Sequence, residues 1–336
     1  MTTISWTGEV WNCVLGCSRD NEECDRCYAM HVAHRGLDPS HRGLTKLRPR
    51  DSARPGVDWN GIVRTVPERL AKPLSWRKPR KVFVNSMSDL FHPQVPFEFV
   101  AAVFGVMAAT PQHTYQVLTK RPERALAFFA WLDERAAEWA HSPDEDCRVH
   151  RCVDGFLDDV CDGVDLNWDN AACPVPGTWP LPNVHLGVSA GRQETAEEKI
   201  PVLLECPAAV HWVSMEPMLG PVDLTRLKVE GGVLDALRGL VTVDPLRGYS
   251  TPNRLRWIVP GGESGSGART CDLAWLRDVL SQCAAAGVPA FCKQLGSAPV
   301  FTDGDGSSKR YPILDSKGED WQAWPDDLKI RQYPNP

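Results

Sequence analysis

The chain has 336 residues, 43% of them hydrophobic and 24% charged, and a net charge of −6. That composition excludes a wholly disordered, collagenous or coiled-coil chain, and the length allows one large α/β domain or two smaller ones. No run of about 18 apolar residues occurs, so no transmembrane helix is expected. The start, Met1-Thr2-Thr3-Ile4-Ser5-Trp6, lacks the basic and apolar regions of a secretory signal. The expected compartment is therefore a reducing cytoplasm. There, twelve cysteines point to metal or redox chemistry rather than to disulfides.

In chain order, residues 3–6 read as an opening strand, followed by a cysteine-rich stretch at 11–29. Residues 35–81 hold thirteen Lys and Arg against four acids, a local charge of +9 in a chain whose remainder sums to −15. Such a patch suits either a polyanionic partner or a solvated surface paired with carboxylates. Six apolar, β-branched runs follow, at 81–84, 115–118, 184–188, 210–213, 257–259 and 289–292, each ending in a polar or glycine cluster. They read as buried parallel strands. Helical patterns lie between them at 97–109, 122–140, 194–205 and 273–286, the last with Gly287 as its C-cap. This alternation predicts an α/β fold: a parallel βα barrel, partial or complete, of six to seven βα units. Such barrels carry their chemistry at the C-terminal strand ends. The barrel is expected over 1–297, with a C-terminal extension over 298–336 anchored by Trp321 and Trp324.

Two segments break the pattern. Residues 141–179 read as an irregular insertion containing Cys147, Cys152, Cys161 and Cys173 with His150, at spacings that match no standard metal-ligand pattern. Residues 220–255 read as a helix-loop excursion.

The sharpest feature is Cys13, Cys17, Cys24 and Cys27 within 15 residues. Thiolates this dense in a reducing compartment define a soft-metal site. Four of them close a tetrahedral zinc site. Three of them hold a [4Fe–4S] cluster and leave one iron open to a ligand.

Cys17-x6-Cys24-x2-Cys27-Tyr28 near the start of a βα-barrel-like chain resembles the radical S-adenosylmethionine (SAM) superfamily, with a gap of six where three is usual. More closely, the chain resembles the phage gp thirty-seven/gp sixty-eight type family of phages and mobile elements. The matching stretches include Ile4-Ser5-Trp6-Thr7, Cys24-Asp25-Arg26-Cys27-Tyr28-Ala29, the run from Phe83 to His92, Leu118-Thr119-Lys120-Arg121-Pro122, Glu216-Pro217 and Gly261-Gly262-Glu263-Ser264-Gly265. The resemblance implies that Cys17, Cys24 and Cys27 ligate the cluster and that SAM chelates the open iron. Reduction of the sulfonium then releases methionine and a 5′-deoxyadenosyl radical. Cys13 has no counterpart in the superfamily motif and reads as a small buried residue.

Further candidates sit at strand ends. Asn85, Ser86, Ser88 and Asp89 occupy the position that contacts the SAM amino group in the superfamily, though Ser88 or Asp89 equally reads as a cap. Gly261, Gly262 and Glu263 open a glycine-rich loop, which serves either a ligand or a plain turn. Lys120 with Arg121 suits a carboxylate or phosphate. Glu216 suits a ribose hydroxyl or a helix start. Ser189, Lys293 and Gln294 also end strands, and Tyr28 adjoins the cysteines, against the cluster, adenine or the core.

The expected function is a radical-SAM-like enzyme acting on an unknown substrate, with nucleic acid or a nucleotide as the first guess and a reductant protein as electron donor. The competing reading is a non-enzymatic zinc protein that closes its site with Cys13 and binds nucleic acid through residues 35–81. A barrel that keeps its cluster for structure alone is a third.

Overall fold

A computed structural model describes residues 4–52, 56–138, 179–244, 247–302 and 307–334. The expected insertion cysteines, Cys147, Cys152, Cys161 and Cys173, lie outside the described residues, as does His150.

The central element is a six-stranded parallel sheet in sequential order. Its strands are β1 (Glu9–Trp11), β2 (Lys81–Val84), β3 (Thr114–Thr119), β4 (Val184–Ser189), β5 (Val210–Met215) and β6 (Leu255–Pro260). In sequential order, right-handed crossovers place their helices on one face, unlike a doubly wound sheet. A parallel bridge from Ile258 to Ala290 marks a seventh position where residues 289–292 suggested a full strand. Among the described residues no ladder closes the sheet into a barrel, so the complete-barrel expectation is not met.

The opening strand is Glu9–Trp11, not residues 3–6. The earlier segment turns instead, with the Trp6 ring 4.6 Å from that of Phe83 and the Thr7 hydroxyl donating to the Lys81 carbonyl at 3.0 Å. Register pairs Glu9, Val10 and Trp11 with Val82, Phe83 and Val84.

Two compact units divide the chain. The first comprises Met1–Leu186 with Cys206–Ala209. It contains α1 (Tyr28–His34), α2 (Phe97–Ala109) and α3 (Pro122–Glu138). Helix α2 is apolar all round and buried without a break from Phe99 to Ala109. Each buried Val or Phe there contributes about 1.5–3 kcal/mol over exposure. Phe104, Phe128, Phe129 and Trp179 form an aromatic cluster beside it. A hairpin of Thr45–Arg48 and Gly56–Trp59 packs on α1 through Trp59, Leu44, Met30 and Ala33.

The second unit comprises Gly187–Glu205 with Val210–Pro336 and contains α4 (Gln193–Glu205) and α5 (Leu273–Ala286). Asp272 caps α5 at its start, and Gly287 closes it at φ 65°, as expected. Trp212 and Trp257 pack at 5.1 Å in its core. Residues 220–255 are not a helix-loop excursion. They hold a four-stranded antiparallel sheet of Leu227–Val229, Gly232–Asp235, Leu240–Asp244 and Arg247–Ser250. Its turns rest on Gly231 and Gly239 at φ 75° and 68°, the conformation glycine adopts without strain. In the tail, Arg331 lies 4.4 Å over Trp321, which stacks on Trp324, and the tail meets the body where Arg331 lies 5.2 Å over Phe291 and Tyr333 stacks on Trp257. No helix among the described residues is long and apolar enough to cross a membrane.

Candidate metal centre

The cysteine loop leaves β1 and is pinned by the end of β2. Asn85 N donates to Trp11 O at 2.8 Å, and Asn85 Oδ1 accepts from Cys13 N and Val14 N at 3.0 Å each. Val14–Leu15 pairs with Arg64–Thr65. Gly16 follows at φ 84°, and a side chain there would collide with the Ile62 carbonyl. Beyond it, a short 3-10 turn over Glu22–Cys24 is capped by the Asn21 side chain, and Cys27 stands at the N-cap of α1. Arg19 staples this arch. Its Nε donates to Asp58 Oδ1 at 2.7 Å and its guanidinium reaches Asp25 Oδ1 at 2.7 Å and the Cys24 carbonyl at 3.2 Å. Arg48 holds the other oxygen of the buried Asp58 carboxylate.

Cys17, Cys24 and Cys27 share one electrostatic neighbourhood. Burial pushes the Cys17 thiol up to about 12, Asp89 adds to the shift, Arg121 opposes it, and Cys27 and Cys24 add further. Burial, then Cys24, raises Cys27. Two cations face these thiols. Burial works against the Lys120 charge, but Cys24, Glu23 and Cys27 outweigh it and raise its pKa. Arg121 is likewise raised, with Asp89 and Cys17 overcoming burial. Cys13 lies in different company. Burial pushes it up to about 12, and the groups opposing that are its own backbone, Asn85 and Arg69.

Ser18 and His92 complete the surroundings. The Arg121 guanidinium donates to Ser18 O at 3.0 Å and Oγ at 3.1 Å. His92 Nε2 is 2.8 Å from Ser18 Oγ, while His92 Nδ1 accepts from Gln94 N at 3.2 Å. That pattern assigns the proton to Nε2. Burial, reinforced by Arg121, lowers the His92 pKa to about 4, so the ring is neutral at pH 7.

Among the described residues no group of three or more His, Cys, Asp or Glu is arranged to hold a single metal ion. Tetrahedral zinc with bonds of about 2.3 Å needs its sulfurs roughly 3.8 Å apart. A cluster with one thiolate per iron spaces them more widely. Cys17, Cys24 and Cys27 are free thiols, the donor type that an iron–sulfur cluster takes.

The strand-end residues of the first unit are mostly committed to the scaffold. Ser88 Oγ donates to Val14 O at 2.7 Å and Ser86 Oγ to Asn12 Oδ1 at 3.1 Å. Asp89 accepts from Phe91 N, Thr119 Oγ1, Lys120 N and Arg121 at 2.8–3.0 Å, which uses its acceptor positions and makes it a latch between β2 and β3. Of these strand-end side chains, Asn85 presents a buried Nδ2 with no hydrogen-bond partner, as does Asn21 in the cysteine loop. Tyr28 donates to Ser86 O at 2.6 Å and stays 48% exposed.

The remaining sequence candidates belong to the second unit. Glu216 Oε2 meets Lys293 Nζ at 2.5 Å. Gly262 lets the backbone at Leu295 and Gly296 approach closely, so its lack of a side chain serves chain packing. Gln294 Nε2 donates to Gly262 O at 2.8 Å. Glu263 accepts from Arg269 N at 2.8 Å and from its guanidinium, closing the glycine loop on itself. Ser189 is buried at the end of β4. Sequence reasoning missed Arg19, Asp58, Ser18 and His92; Ser18 and Arg19 lie inside the six-residue gap between Cys17 and Cys24, which is their local hint.

Fold and site together define an α/β protein with a sequential parallel sheet and a cysteine-rich loop after its first strand. The chain belongs to DUF5131, a family described as proteins of unknown function, whose model matches residues 1–325. No curated protein and no solved structure matches it.

Proposed function

We propose that this chain is a radical-SAM-like enzyme that holds a [4Fe–4S] cluster on Cys17, Cys24 and Cys27. The observation that carries this reading is geometric: the fully buried Cys13 thiol donates to Asn85 Oδ1 at 3.6 Å, while Cys17 and Cys27 pack against one shared hydrophobic cluster. A closed four-thiolate zinc site needs Cys13 beside those two thiols. Cys17, Cys24 and Cys27 would hold the cluster, and it would supply one-electron reduction of the SAM sulfonium.

The chain's own residues give this chemistry its setting. Lys120 and Arg121 offset the negative charge of three thiolates in a poorly hydrated place. Arg121 is held beside Cys17 by its hydrogen bonds to Ser18 O and Oγ, which places a positive charge next to that thiol. Asp89 fixes Arg121 from behind, and Asn85 Nδ2 is the strand-end donor left for a ligand. The reading implies a reducing cytoplasm and a reductant protein.

The test is anaerobic reconstitution with iron and sulfide. The expected result is about four irons per chain, a reducible brown chromophore, and 5′-deoxyadenosine on adding SAM and dithionite. Cys17→Ala, Cys24→Ala or Cys27→Ala removes the chromophore, and Cys13→Ala keeps it. Stoichiometric zinc lost in Cys13→Ala, with no chromophore, overturns the reading in favour of a zinc protein.

A further inference from the structure

The +9 segment separates into two groups of cations. Arg77, Lys78 and Arg80 precede β2, at the opposite strand end from Asn85, and Arg80 pairs with Glu9. Arg48 and Arg69 are committed to Asp58 and Asp38. Arg35, Arg42, Lys46, Arg50 and Arg64 are all exposed, and none has an ion pair among the described residues. The exposed acids of the same stretch are Asp51 and Glu68. Pairing with carboxylates therefore does not account for these five.

Their placement follows from the packing. Arg35 ends α1, and His34 Nδ1 lies 3.2 Å from Thr45 Oγ1, so that helix end adjoins the hairpin bearing Lys46. The Arg64 guanidinium donates to the Arg42 carbonyl at 3.3 Å. Arg64 also pairs with Leu15, two residues before Cys17. The cations thus run from the hairpin to the thiol loop. Beside that loop, Tyr28 is tethered at its hydroxyl and half exposed, and Leu47 on the hairpin is 67% exposed.

We infer that single-stranded nucleic acid docks here, with Arg35, Arg42, Lys46, Arg50 and Arg64 along its phosphates and Tyr28 stacking a base next to the thiols. Spaced cations with a fixed, exposed aromatic ring match what a single strand offers: a regular anionic backbone and π-faces. The inference names a substrate class for the proposed enzyme, but docking itself needs no cluster.

The experiment is fluorescence anisotropy with labelled 20-nucleotide single-stranded DNA and RNA over a range of salt, on the full chain as purified. The triple variant Arg42→Glu/Lys46→Glu/Arg64→Glu is expected to weaken binding at least tenfold and to flatten the salt slope by about 2, at roughly 0.7 per phosphate contact. Arg226→Glu/Arg254→Glu/Arg256→Glu, an equal charge change at exposed sites of the second unit, is expected to leave binding within twofold. Tyr28→Ala weakens binding more than Tyr28→Phe, which keeps the ring but loses its tether to Ser86 O. Binding is measured on the parent chain both as purified and after anaerobic reconstitution, and is expected in both, so failure to load iron and failure to bind nucleic acid are read separately. No binding at 50 mM salt, an equal loss in the two triple variants, or patch-dependent binding to anionic vesicles without binding to oligonucleotides each overturns the inference.

Discussion

One carbonyl oxygen, Asn85 Oδ1, holds both Cys13 N and Val14 N at 3.0 Å, from a residue at φ 59°. Asparagine tolerates this left-handed conformation better than most residues. The contact fixes where the cysteine loop leaves the sheet. Asn85→Ala loses two hydrogen bonds and adds backbone strain, for an expected cost of about 3 kcal/mol. Asn85→Gly loses the bonds but relaxes the strain, so it should fall between Ala and the parent. Chemical denaturation midpoints check the order; Ala and Gly variants of equal stability would remove backbone conformation from the account.

Gly16 is the tightest point of the same loop. Its φ of 84° disfavours any side chain, and a Cβ would meet the Ile62 carbonyl and lie 3.2 Å from Leu44 Cδ2. Backbone cannot yield as a flexible side chain can. Gly16→Ala should cost more than about 2 kcal/mol and displace Cys17. The measurements are thermal unfolding and, after reconstitution, iron content. A variant that melts and loads iron like the parent would contradict this packing.

Much of the sheet is legible in the sequence because buried parallel strands are continuous apolar runs. Lys81–Val84 and Val210–Met215 announce themselves that way. Glu9–Trp11 does not: three residues with one acid give no periodic signal, and its partner Val82–Val84 makes it a strand. The Leu227–Ser250 sheet is obscured for another reason. Its strands are short and largely exposed, so only the glycines at 231, 232 and 239 mark its turns. The spacing of Cys17, Cys24 and Cys27 is visible at once. What separates Cys13 from them is not, because Asn85 and Arg69 come from far along the chain. Asp58 is hidden for the same reason, since nothing local tells a buried, doubly paired carboxylate from an exposed one.

Asp58 supports the arch between Cys17 and Cys24 from below. Burial raises its pKa, but hydrogen bonds and charge from Arg19 and Arg48 outweigh burial and lower it overall. A depressed carboxylate contributes stability above its ordinary pKa and loses it as pH falls through the folded value. Asp58→Asn leaves two guanidinium groups without their counter-charge, at an expected cost of about 3 kcal/mol. The variant should also load less iron at equal protein concentration, because Arg19 no longer anchors the loop. Denaturation and metal analysis test the two effects independently. Full stability with full iron content would assign the arch's geometry to Asp25 and the Asn21 cap alone.

His185, on β4, gives the clearest dependence on pH. Burial, with a smaller push from Lys81, lowers its pKa from 6.5 to about 4. The folded chain therefore keeps the ring neutral over a range in which the unfolded chain protonates it. Between pH 6.5 and 4 the unfolded state binds the extra proton, so stability falls as pH falls. The contribution of this one residue reaches roughly 3 kcal/mol at the acid end. His92 acts in the same direction, with its pKa also lowered to about 4. Denaturant midpoints measured from pH 7.5 to 4.5 should decline, and His185→Gln should flatten the decline without abolishing it. An unchanged slope in that variant would mean that His185 is already protonated in the folded chain, contrary to its burial.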